Sequence, residues 1–66
     1  MEMNIRQARR AQEITQKEMA KSLQMHVQTY RRIEEHPERA TIAQARKIAE
    51  RLGVSYNDLI FTRNST

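Results

Sequence analysis

With 66 residues, 38% hydrophobic and 30% charged, the chain has the size of one small domain, with no room for an elaborate catalytic cavity. One Gly, one Pro and no Cys exclude a turn-rich β-fold, disulfides and thiolate metal sites, and fit a helical protein of the cytoplasm. Twelve Lys and Arg against eight acids, a net charge of +4, suit a polyanionic partner, and no apolar run approaches the roughly 20 residues of a membrane span.

The residue pattern predicts an all-α fold of five helices. The first starts at Glu2 or Asn4 and ends at Gln12, with Ile5 and Ala8 inward and Arg6 and Arg10 outward. Thr15 and Glu18 form a capping box that opens the second helix, which carries Met19, Ala20 and Leu23 on one face and ends near Leu23. Gln24, Met25 and His26 form a tight turn. A third helix then runs over about Val27–Glu35, with Tyr30 and Ile33 inward. Two short amphipathic helices joined by such a turn make a helix-turn-helix, which reads DNA with its second helix. Ala20 keeps the two helices close.

His36 to Ala40 is a connecting loop, because Pro37 cannot continue a helix and restricts His36. Thr41 caps the fourth helix, whose apolar stripe is Ile42, Ala45, Ile48, Ala49 and Leu52, and Gly53 ends it in a left-handed cap. Ser55 and Asp58 cap a short fifth helix carrying Leu59, Ile60 and Phe61. The domain therefore covers residues 1–61, and 62–66 form a polar, frayed tail.

On a wheel of about 100° per residue with Val27 at zero, Arg31, Glu35, Gln28 and Arg32 fall at about 40°, about 80°, about 100° and about 140°. Ile33, Tyr30 and Glu34 lie at about 240°, about 300° and about 340°. A polar face on a lone helix is usually just solvated. Directly after a helix-turn-helix turn, the same face points to base reading. Arg pairs with guanine, Gln with adenine, and Val27 touches a thymine methyl. Val27, Gln28, Arg31 and Arg32 are the candidate base contacts. Glu35 belongs at the far end of the helix, away from phosphates. Gln16 opens the second helix, where its amide can bond a phosphate or brace Gln28; Arg39 and Thr41 can hold the backbone of the same half-site.

The stretch ITQKEMAKSLQMHVQTYRRIEE, a polar loop, and ATIAQARKIAERLGVSYNDLIF together resemble the phage repressor and Cro-like helix-turn-helix domains. The resemblance spans about residues 5–61 and rests on Thr15, Gln16, Ala20, the apolar set Met19, Leu23, Met25, Tyr30 and Ile33, and the closing LGVSYNDLI. It implies a compact five-helix, lambda-repressor-like domain that binds double-stranded operator DNA, often as a homodimer, with no cofactor. It also implies a buried structural ion pair between Arg9 and Glu34. Two positions depart from the pattern. Gln24 stands where Gly is usual and must tolerate a left-handed conformation or use a slightly different turn. His26 replaces a small capping residue; its imidazole can cap the helix less well, contact the DNA backbone, or make that contact depend on pH.

Catalysis and metal binding find no support. Asp58 is the only Asp, the two His are ten apart, and Glu34 and Glu35 diverge by about 100°. The alternative function is a protein-interaction module on the same fold, such as an antitoxin or antirepressor, with Ile60 and Phe61 as a possible dimer contact. RNA binding is a weaker alternative, since aromatics are only 5%.

Overall fold

The computed structural model describes residues 3–60, and β1 (Met3–Asn4) leads directly into α1 (Ile5–Ala11). Asn4 caps α1. Its side chain accepts from the Gln7 amide at 2.7 Å, and the Gln7 side chain accepts from the Asn4 amide at 3.0 Å. The capping box expected at Thr15 and Glu18 opens α2 (Gln16–Ser22), with bonds of 3.0 and 2.8 Å. The Thr15 backbone N–H holds the Glu18 carboxyl below its usual range. Thr41 caps α4 (Ile42–Leu52) in the same way with Gln44.

Helix α3 (Val27–Glu35) follows α2 across the turn at residues 24–26. Ala20, 2% exposed, lets the backbones of α2 and α3 approach. Tyr30, Ile5, Met19 and Ile48 are the largest fully buried side chains, so all four helices feed one core. Gln12 Nε2 donates to the Leu52 carbonyl and ties the ends of α1 and α4 together.

Helices α1, α2 and α4 stop in the same way. Glu13, Gln24 and Gly53 take φ of 57°, 56° and 69°. In each case the next amide reaches back to the carbonyl five residues earlier: Ile14 to Arg9, Met25 to Ala20, and Val54 to Ala49. Gln24 adopts the left-handed conformation expected of it. Glu13 adopts it with no comparable signal in the sequence.

Three expectations need correction. Among the described residues there are four α-helices, not five. The Ser55 hydroxyl accepts from the Asn57 amide at 3.3 Å, two residues on, and so starts a single 3-10 turn at Tyr56–Asp58. Leu59 then leaves in an extended conformation, and β2 (Leu59–Ile60) pairs in parallel with β1, Met3 opposite Leu59 and Asn4 opposite Ile60. This pairing satisfies backbone groups at both ends of the fold and buries Leu59. The loop at residues 36–40 contains a 3-10 turn at Pro37–Arg39, with Pro37 in the first position, where its missing N–H costs nothing. Finally, Ile42 is 66% exposed rather than part of the core stripe. It lies in the first turn of α4 at the edge of that stripe. Phe61 and residues 62–66 lie outside the described residues, and so does the Phe61 part of the dimer contact; Ile60 is placed here by its backbone alone.

Candidate nucleic-acid interface

The candidate interface is arranged around the buried carboxylate of Glu34, on the inner edge of α3. Its side chain is 0% exposed, with Arg9 Nε 2.6 Å from one oxygen. Arg9 Nη2 donates to the other oxygen at 3.3 Å, and Arg9 Nη1 donates to the Ile14 carbonyl at 2.7 Å. Arg6, still 48% exposed, reaches the same carboxylate at 3.4 Å. Burial pushes the Glu34 pKa up, but the donors around it, Arg9 foremost, outweigh this and hold the carboxyl below its usual range. The hydrogen bond to Glu34 raises Arg9 in turn, against the effect of burial. The Tyr30 hydroxyl is buried beside the pair without a hydrogen bond of good geometry, and burial, then the adjacent carboxylate, raises its pKa. This cluster pins α3 to α1.

Gln16 joins the cluster from α2. Its Nε2 donates to Glu34 Oε1 at 2.9 Å, and its Oε1 accepts from Arg31 Nε at 3.1 Å. The expected brace from Gln16 to Gln28 is therefore made to Arg31 instead. One turn of helix separates the two positions, and the longer Arg side chain lies on the side facing α2.

The outer face of α3 presents Gln28, Thr29, Arg31, Arg32 and Glu35, all exposed. Gln28 and Arg32 make no side-chain hydrogen bond among the described residues and project freely. Val27 is half-buried and packs against the core, so only part of it is open to a partner. Thr29 is not among the candidates read from the sequence, although its wheel position at about 200° continues the polar arc beyond Arg32. Glu35 is the last residue of α3, at the far end of the face.

The start of α3 is weakly capped. His26 has the extended conformation of an N-cap but makes no side-chain cap bond, and it is exposed. Among the described residues its imidazole has no hydrogen-bond partner beside the first turn of α3. Beyond α3, Arg39 ends the 3-10 turn and is exposed, as is Thr41. The Thr41 oxygen accepts the Gln44 amide, which leaves its hydroxyl proton to donate. Ile42 adds an exposed apolar side chain next to them.

Among the described residues no group of three or more His, Asp and Glu is arranged to hold a metal, and no helix is long and apolar enough to cross a membrane. A family model described as helix-turn-helix matches residues 5–59, most of the chain. No curated protein and no solved structure matches the chain.

Proposed function

This chain belongs to the Cro/C1-type helix-turn-helix family of DNA-binding domains, and from that premise we propose that it regulates transcription by reading a specific double-stranded operator in the cytoplasm. In this reading α3 lies in the major groove and α2 crosses the backbone. The observation that carries it is the outer face of α3, where Gln28 and Arg32 project without side-chain hydrogen bonds among the described residues, immediately after the turn. Gln28 suits adenine, Arg32 suits guanine, and the open part of Val27 suits a thymine methyl. Gln16, His26, Arg39 and Thr41 hold phosphates on either side, and the chain acts as a homodimer on a two-fold symmetric site. A net charge of +4 provides the long-range attraction. No step of this function needs an enzyme activity.

Selection of bound duplexes from a random pool tests the reading, followed by binding to the selected duplex across a salt series. The expected result is a symmetric pair of half-sites roughly 34 Å apart and a steep fall of log K with log salt. Replacing Gln28 or Arg32 with Ala changes the preferred base at one or two positions and costs about 1–3 kcal/mol on the selected site. If Gln28, Arg31 and Arg32 replaced together leave sequence preference intact, α3 is not the reader. An absence of DNA binding at low salt, with tight binding to a protein partner, favours the antitoxin or antirepressor reading instead.

A further inference from the structure

We propose that Arg31 is a phosphate clamp aimed by a hydrogen-bonded relay from Glu34 through Gln16, rather than a base reader. The inference rests on the DNA-binding reading and assigns a different role to one residue of the same face. A carboxylate only accepts hydrogen bonds, so the Glu34 oxygen 2.9 Å from the Gln16 side chain must face its NH2 group. The Gln16 amide then has a single orientation, with its oxygen turned outward to accept from Arg31 Nε at 3.1 Å. Glu34 is itself fixed by Arg9 at 2.6 Å, so the relay starts from a buried, immobile group.

Its consequence is geometric. Gln28 and Arg32 are free to extend from α3 toward a groove floor. Arg31 is drawn sideways across the seam between α3 and α2. In a helix-turn-helix complex the first helix of the pair crosses the sugar-phosphate backbone, so a side chain held against α2 lies at the groove wall. With Nε occupied, the terminal Nη groups remain as charged donors at that wall, where phosphate oxygens are the acceptors. Gln16 keeps one N–H for the same or the neighbouring phosphate.

The test uses the whole chain, the selected duplex and single-base variants of it, with affinity followed across a salt series. Arg31→Ala is expected to weaken every duplex by roughly tenfold alike, and to make the slope of log K against log salt shallower by about 0.9, one phosphate contact. Arg31→Lys is expected to restore the slope without altering base preference, because a phosphate accepts a point charge where paired guanine contacts need the planar fork. Gln16→Ala is expected to cost clearly less in the Arg31→Ala background than alone. Thermal melting checks that each variant is folded, which the exposure of Arg31 favours. A change of preferred base in Arg31→Ala or Arg31→Lys makes Arg31 a reader and overturns the clamp. An unchanged salt slope in Arg31→Ala overturns it too, and full additivity of the two Ala replacements overturns the relay. If the unaltered chain binds no duplex in a salt-dependent way, the DNA-binding reading itself fails.

Discussion

Glu34 shows how much one buried carboxylate can organise. Arg9, Arg6 and Gln16 donate to it from two other helices, so it connects α1, α2 and α3 through a single group. Replacing Arg9 with Ala leaves the carboxylate buried and without its main partner. The expected cost is about 3–5 kcal/mol, measured by chemical denaturation. The same group sets an acid limit. Its pKa is lowered in the folded state, so the folded form binds the proton less readily than the unfolded chain does. The stabilisation is complete above the ordinary carboxylate value of 4.5 and is lost as pH falls through the lower folded value. Stability is therefore expected to be insensitive to Glu34 from neutrality down to about pH 5 and to decline below it. In Glu34→Gln this part of the acid dependence disappears. A variant whose urea midpoint falls with acid as steeply as that of the parent protein would show that the acid sensitivity lies elsewhere.

The helices are legible in the sequence because their ends are written in short local codes. Thr15 with Glu18 and Thr41 at the start of α4 place two helix starts, and Gly53 places one end. What the local code does not disclose is that α1 ends in the same left-handed turn using Glu13, as α2 does with Gln24 and α4 with Gly53. A side chain with a Cβ is strained there by roughly 1–2 kcal/mol. Glu13→Gly and Gln24→Gly are each expected to raise stability by about 0.5–1 kcal/mol, the relieved strain less the greater freedom of Gly in the unfolded chain. Thermal melts of the single and double variants check this, and a loss of stability in both would mean that the side chains make compensating contacts. Gln24 lies in the turn that leads into α3, so in the proposed DNA-reading mode a change in DNA preference in Gln24→Gly reports on the docking angle of that helix.

At the scale of the whole molecule, a 66-residue domain has a total stability of roughly 3–10 kcal/mol. A single buried side chain is then a large fraction of it. Leu59 is 6% exposed and lies on the two-residue strand that pairs with Met3. Leu59→Ala is expected to cost about 2–4 kcal/mol, enough to leave a measurable unfolded population at physiological temperature by circular dichroism. Helix period and capping signals also suggest a fifth helix over this segment. The error comes from Ser55, which supports either a helix cap or a tight turn. The choice depends on whether a partner strand waits at residues 3 and 4, which lie more than 50 positions away in the chain.

Sequence alone determined the helix-turn-helix itself: two amphipathic stripes around a turn, with Ala20 between them and a polar arc on the helix that follows. Periodicity and capping are local, so they survive without knowledge of the fold. Only the tertiary structure decided which members of that arc are free. Among the described residues Gln28 and Arg32 have no side-chain hydrogen bond, Val27 is partly drawn into the core, and Arg31 is held by Gln16. A wheel assigns an angle to each residue but says nothing about the neighbouring helix, and contact with that helix separates a side chain left open to solvent from one held at the seam.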